Sequence, residues 1–215
     1  MDYAQARRKM VEKQLRGHGI RDERVLAVMG QIPREEFFSV AQRASSYADE
    51  PAPIGHGQTI SQPFMTALMA ECLELKGTET VLEVGGGCGY HAAVLGALAE
   101  RVISIELIPE LAALARENLE KTGRARNVTV VNADGSRGYA EFAPFDAISV
   151  AAAAPEIPAA LIAQLGDPGT LVMPVGPELD QELRVLRKCG GQVSLRVAAY
   201  CRFVPLKEGA RQPAG

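Results

Sequence analysis

Beyond residue 80 the chain alternates short Val- and Ile-rich runs with helical patterns, and this rhythm narrows the possible folds more than any other feature. TVLEV, RVISIE, NVTVVNAD, FDAISVAA and GTLVMPVG read as strands starting at 80, 101, 127, 145 and 169. Between them HAAVLGALAE, PELAALARENLEKTG and IPAALIAQL space their apolar residues as helices do, with Pro109 at the first turn of the second and Gly123 at its end. Such an alternation implies a mostly parallel twisted sheet with helices on both faces. The last stretch, QELRVLRKCGGQVSLRVAAYCRFV, departs from it. Two strands meet there at Gly190-Gly191, which predicts an antiparallel C-terminal hairpin at or near one edge. The expected fold class is α/β and Rossmann-like.

The N-terminal third follows another pattern. Helices are expected over 3–16 and over 22–29, the latter opened by Asp22, and Pro33-Arg-Glu-Glu-Phe-Phe reads as a short helical turn. Residues 39–61 carry turn formers and no long period, and a helix follows over 63–75. Within this region GHGQTISQP, residues 55–63, is polar and ends on a proline just before an apolar run. With 47% apolar residues in 215, the chain can bury one sizeable core. The expected organisation is a single domain. It comprises an N-terminal helical and loop extension (1–78), an α/β core (79–209) and a polar tail (210–215).

A net charge of −3 argues against duplex nucleic acid as the main partner. Cys72, Cys88, Cys189 and Cys201 form no CxxC pair, and His18, His56 and His91 are scattered, so no metal site is expected. The N-terminus lacks an apolar signal region and no run approaches a membrane span, which makes a soluble cytoplasmic protein the expectation.

The strand at 80–84 runs into glycines and then a helix, a ligand-binding arrangement: the backbone can approach the ligand and a helix N-terminus offers unpaired N–H groups. A dinucleotide frame, Gly87-Cys-Gly89-Tyr-His-Ala92, begins two residues past Gly85 and so too far from the strand. The other frame places an acid, Glu83, before Gly85, Gly87 and Gly89. It suits a ligand with a cationic amino group and no pyrophosphate, such as S-adenosylmethionine. Glu106, closing the second strand, can accept from both ribose hydroxyls, though NAD carries the same diol. Asp134, closing the third strand, can accept from an adenine amino group. Three acids at the carboxyl ends of three successive strands converge on one crevice.

GHGQTISQP, VLEVGGGCGY, VISIE, ADGSRG, APFDAISVAAAAPEIP, LVMPVG and RFVPL together resemble the protein-L-isoaspartate O-methyltransferases, over roughly residues 5–207. The resemblance implies a Rossmann-like class I methyltransferase fold. It also implies transfer of the methyl of S-adenosylmethionine to the α-carboxylate of isoaspartyl residues in damaged proteins. The ester then recloses to a succinimide, and hydrolysis returns some normal aspartate. By the same resemblance Ser61 is the active-site serine, and Glu83, Gly85, Gly87, Gly89, Glu106, Asp134 and Gly135 are cofactor residues. Thr59, Ile60 and Ser61 with Arg202, Phe203, Val204, Pro205 and Leu206 bind the peptide. Isoaspartyl-containing proteins and peptides are the implied partners, met by a monomer without nucleic acid or membrane. The sequence departs from the family pattern at Gly86 and Cys88, where hydroxyl residues are common, and at Ala151, where threonine is.

The chemistry requires little of the protein. A carboxylate has an unperturbed pKa of about 4 and is ionised at neutral pH, so no strong base is needed. A hydroxyl such as that of Ser61 can orient it by a charge-assisted hydrogen bond. Ser61 also stands where a helix N-cap is expected, before Gln-Pro and an apolar run, and the two roles can coexist. Other readings are a methyltransferase for an aspartate in a dedicated peptide substrate, a binding module without turnover, and, most distantly, an NAD enzyme.

Overall fold

The computed structural model describes residues 2–124 and 126–209, so the expected tail at 210–215 lies outside the described residues. Seven strands form one sheet in the order β5-β4-β3-β6-β7-β8-β9. They are β3 (Thr80–Val84), β4 (Arg101–Glu106), β5 (Val128–Asn132), β6 (Phe145–Val150), β7 (Leu165–Val175), β8 (Gln181–Cys189) and β9 (Gln192–Cys201). The first five pair in parallel, and β7, β8 and β9 pair antiparallel. Gly190 and Gly191 both take positive φ, +59° and +76°, the geometry a two-residue hairpin turn requires. Asp167 accepts from both of their amides, at 2.7 and 2.6 Å.

The helices are α1 (Tyr3–Lys9), α2 (Glu23–Gln31), α3 (Pro63–Leu73), α4 (Tyr90–Leu98), α5 (Pro109–Lys121) and α6 (Ala159–Gln164). α1 runs on into a π-helical segment, Met10–Arg16. Asp22 caps α2 as expected, accepting from the amides of Arg24 and Val25. Pro63 and Pro109 open α3 and α5, where a missing N–H costs nothing. Among the described residues no helix is long and apolar enough to cross a membrane.

The sheet separates two apolar clusters, and strand alternation assigns residues to them. Val81, Val102 and Ala147 face the cluster that also takes in Met10, Leu15, Met29 and Ile32, so the N-terminal helices share a core with the α/β unit. Leu82, Ile103 and Ile148 face the other, with Leu161 of α6.

Three expectations give way to the structure. The stretch 39–61 contains a small hairpin, β1 (Ala52–Gly55) with β2 (Gln58–Ile60), turning through His56 and Gly57 at positive φ. Its strands are too short for a period to show in sequence. β7 begins at Leu165, four residues early, because α6 stops at Gln164. β9 ends at Cys201, so RFVPL lies beyond the ladder.

One row is polar inside an apolar sheet. Glu83 pairs in register with Ser104 on one side and Ser149 on the other, and none of the three is exposed. Ser104 Oγ donates to Glu83 Oε2. Burial pushes the Glu83 carboxyl up to about 8, against the pull of the Ser104 hydrogen bond and with the Glu106 charge adding to the rise. His91 Nδ1 lies 3.7 Å from Glu83 Oε1, but burial pushes the imidazole down to about 4. Burial thus favours the uncharged form of both groups. A carboxyl raised from 4.5 stabilises the fold fully below that value and loses the contribution as pH rises to about 8. Glu83→Gln keeps an acceptor for Ser104 and cannot ionise. Thermal melts of the two proteins from about pH 5 to pH 8.5 are expected to show a gap widening in favour of the variant, while a constant gap would contradict a buried titration. At the sheet centre, Leu82→Ala is expected to cost about 2–5 kcal/mol in urea unfolding.

Candidate active site

β3 is the point where the chain reverses its direction of travel across the sheet, with β4 and β5 laid to one side and β6 to the other. A crevice opens at the carboxyl ends of strands around such a switch point. Here a cavity lies there, as small-molecule sites in open α/β sheets do. Its wall combines the loop after β3, the ends of β4 and β6, hairpin β1–β2 and the segment after β9.

The glycine loop is fixed from β4. The amides of Gly85 and Gly86 donate to the Ile105 carbonyl at 2.8 and 3.1 Å, and Gly87 N–H donates to Glu106 Oε2 at 2.8 Å. Glu106 Oε1 accepts from Ile108 N–H, also at 2.8 Å. An ionised carboxylate offers about four acceptor sites, so this 6% exposed group retains lone pairs for a ligand diol in the cavity it lines. Gly85, Gly87 and Gly89 have φ of +87°, +54° and +87°, which side chains rarely adopt. Gly85 and Gly87 reach the cavity wall. Gly89 does not: it precedes α4 and packs on α5, where an added Cβ would sit 3.1 Å from the Ala115 carbonyl oxygen. An added Cβ at Gly86 would collide with the Ser104 hydroxyl, so the missing side chain there leaves room for the Ser104–Glu83 hydrogen bond.

The other two acids lie elsewhere than expected. Glu83 sits beneath the loop in the buried row and does not reach the cavity wall, whereas His91, which packs against it, does. Asp134 is turned to its own loop, where Oδ1 accepts from Ser136 N–H and Oγ at 3.0 and 2.6 Å, and to the segment after β9, where Oδ2 accepts from Gly209 N–H at 3.1 Å. Gly135 represents that loop in the wall, and an added Cβ there would meet Val84 at 2.5 Å.

Thr59, Ile60 and Ser61 all line the cavity. Ser61 is not a helix cap: the N-cap of α3 is Gln62, and no side chain caps there. The proline at the first helical position removes one amide that a serine would have capped. Among the described residues the Ser61 hydroxyl holds no hydrogen bond, while its carbonyl accepts from Arg34 Nη2 at 2.7 Å. Arg34 is fully buried, and sequence reasoning missed it. Its Nε donates to the Ser46 carbonyl at 2.8 Å, and the guanidinium lies 4.7 Å from the Tyr90 ring centroid and 5.4 Å from that of Phe38. Nothing in PREEF marks an arginine as internal. Tyr90 and Ala152 also belong to the wall. Cys88 is buried, with its thiol pushed up to about 11 by desolvation, which fits a small loop residue and not a reactive one. His56 stands exposed at the hairpin tip, away from the wall.

In the segment after β9, Val204, Pro205 and Leu206 line the cavity while Arg202 and Phe203 do not. Val204 and Leu206 pair with the backbone of Ala153, through Ala153 N–H to Val204 O at 2.8 Å and Leu206 N–H to Ala153 O at 2.7 Å.

Known proteins are similar to this chain in sequence and fold. The family model described as Protein-L-isoaspartate(D-aspartate) O-methyltransferase (PCMT) matches residues 5–211. A protein-L-isoaspartate O-methyltransferase of Koribacter versatilis is 52% identical over 205 residues, 95% of this chain and 91% of that protein. Its Marinobacter nauticus counterpart is 53% identical over 207 residues, 95% of this chain and 94% of that one. Among solved structures, a Plasmodium falciparum chain described as such a methyltransferase in complex with S-adenosyl-L-homocysteine superposes with a TM-score of 0.79. It is 27% identical, with 94% of this chain and 99% of that chain covered. A further protein-L-isoaspartate O-methyltransferase gives a TM-score of 0.81 at 30% identity, and 93% of this chain spans 65% of that longer one. The chain belongs to the protein-L-isoaspartate(D-aspartate) O-methyltransferase family.

Proposed function

We propose that this chain is an S-adenosylmethionine-dependent protein carboxyl methyltransferase that esterifies the α-carboxylate of isoaspartyl residues in damaged proteins. The observation that carries the reading is the meeting in one cavity of the glycine loop, Glu106, the unbonded Ser61 hydroxyl and segment 204–206. These come from four separate parts of the chain, and two of them lie outside the parallel core.

The residues present fit the cofactor. The backbone at Gly85 and Gly87 leaves a cradle without side chains, and Glu106 has acceptor capacity for a ribose diol. Gly135 packs against Val84 too closely for a side chain, and the buried pair Glu83 and His91 supports the loop from below. When bound, the cofactor supplies an electrophilic methyl on a sulfonium. The protein then has to hold a carboxylate in line, and positioning of this kind is worth up to roughly 7–11 kcal/mol. Ser61 Oγ donates to one carboxylate oxygen and leaves the other free to attack. A neutral hydroxyl orients the nucleophile without quenching it, as a lysine would. No base is required, in keeping with a cavity whose histidine, His91, is held neutral. Ile54, Ile60, Ala151, Ala152 and Leu206 give the cavity apolar walls that exclude water from the reacting atoms. Ala151, where relatives in the resemblance carry threonine, leaves Ser61 to orient the carboxylate without a second hydroxyl there. The same reading takes the enzyme as a cytoplasmic monomer acting on aged proteins and peptides.

Base-labile methanol release from a matched pair of peptides, one isoaspartyl and one aspartyl, tests the assignment. Transfer to the isoaspartyl member alone is expected, and equal transfer to both, or none to either, would overturn it. Ser61→Ala is expected to lower kcat by roughly 10- to 100-fold, the worth of one hydrogen bond to a charged group. Affinity for S-adenosylhomocysteine, measured by titration calorimetry, should stay within about threefold.

A further inference from the structure

The β8–β9 ladder ends at the pair Gln181–Cys201. Past it the chain departs from β8, and by Val204 its backbone is bonded to Ala153 at the end of β6 instead. Phe203 falls between the two ladders. In an extended chain its N–H and C=O point away from the edge that Val204 and Leu206 present to Ala153, so neither ladder serves it.

The side chain of Gln181 serves it. Oε1 accepts from Phe203 N–H at 2.7 Å, and Nε2 donates to Phe203 O at 3.2 Å. A primary amide carries the same donor and acceptor as a peptide group, so Gln181 acts as one further rung after the backbone ladder has stopped. It is 3% exposed, so a partner that lost these bonds would have little water to replace them. The segment is thereby held on both edges, by Gln181 at Phe203 and by Ala153 at Val204 and Leu206. Phe203 packs into one apolar cluster and Leu206 into the other, which leaves the segment little freedom to shift register.

We infer that Gln181 is a positioning residue for the peptide substrate. It sets the register of segment 202–206, and with it the main-chain groups and side chains that meet the residues flanking the isoaspartate. The inference rests on the proposed reading that this segment receives the peptide. It adds the residue that holds the receiving surface in place, from a strand with no part in the chemistry.

The test measures kcat and KM for isoaspartyl peptides of increasing length, with affinity for S-adenosylhomocysteine and melting temperature alongside. Gln181→Met keeps length and bulk but makes neither hydrogen bond. For a long peptide, KM is expected to rise about tenfold, the worth of about 1.4 kcal/mol, with kcat and product affinity within about threefold. The rise should shrink with peptide length and vanish for a substrate with one residue on either side of the isoaspartate, a dependence that a general loss of stability would not produce. Should that variant fail to fold, Gln181→Glu, which retains an acceptor for the Phe203 amide, carries the same test. A penalty equal at every length, a loss falling on kcat or on product affinity, no change at all, or unfolding of both variants would overturn the role. If the unmodified enzyme methylates no isoaspartyl peptide, the reaction assignment falls and this role with it. Normal turnover by the unmodified enzyme with an indifferent Gln181→Met removes the role alone.

Discussion

The glycine loop between β3 and α4 has almost no side chains with which to hold its own shape, so β4 imposes that shape on it. The Ile105 carbonyl holds the Gly85 and Gly86 amides, and the Glu106 carboxylate accepts the Gly87 amide on one oxygen and the Ile108 amide on the other. Hydrogen bonds to a charged group are worth roughly 1.5–3 kcal/mol each, enough to keep a flexible glycine backbone in a single conformation. One side chain thus ties the cradle after β3 to the start of α5 while still facing the cavity. The strand pairing that puts β4 beside β3 is therefore also what forms the cofactor site.

Two of the ionisable groups buried around this centre are treated in opposite ways. Arg34 keeps its charge. Burial lowers its pKa, but from so high a starting value that carbonyl dipoles and the faces of Tyr90 and Phe38 suffice to retain the proton. Burial pushes the Glu83 carboxyl up, since among the described residues its one hydrogen-bond donor is a serine, and a second carboxylate, Glu106, adds to the rise. The arginine braces the carbonyl of Ser61 and the buried acid underlies the glycine loop. Both sides of the cavity rest on buried polar groups that never touch its contents.

How much of this could be read in advance depended on the range of the interaction. The parallel strands, the helix opened by Asp22 and the turn at Gly190-Gly191 follow from patterns a few residues long, and the structure reproduces them. Ser61 looked like a cap because Ser-Gln-Pro precedes an apolar run, yet the cap moved one residue on to Gln62. The two short strands at 52–60 exist only because each pairs with the other. The buried row had a signal: VLEV and ISVA carry one polar residue, and ISIE two, on the alternate that otherwise faces the core. Only the register that sets Ser104 and Ser149 on either side of Glu83 makes it a row.

The amino-acid sequence by itself determined an α/β sheet with a glycine loop at the end of its first strand. It also marked out Ser61 and segment 202–206 by their likeness to a methyltransferase family. Those properties reside in hydrophobic period, turn residues and contiguous motifs, all local in the chain. The tertiary structure decided which acid faces the cavity and which lies under it, because strand parity fixes a side chain's direction only once neighbouring strands and helices are in place. It likewise decided that Arg34 braces Ser61 from 27 residues away and that Gln181 braces Phe203 from 22. A hydrogen bond between distant residues leaves no period in the sequence, since it depends on how the rest of the chain brings the two ends together.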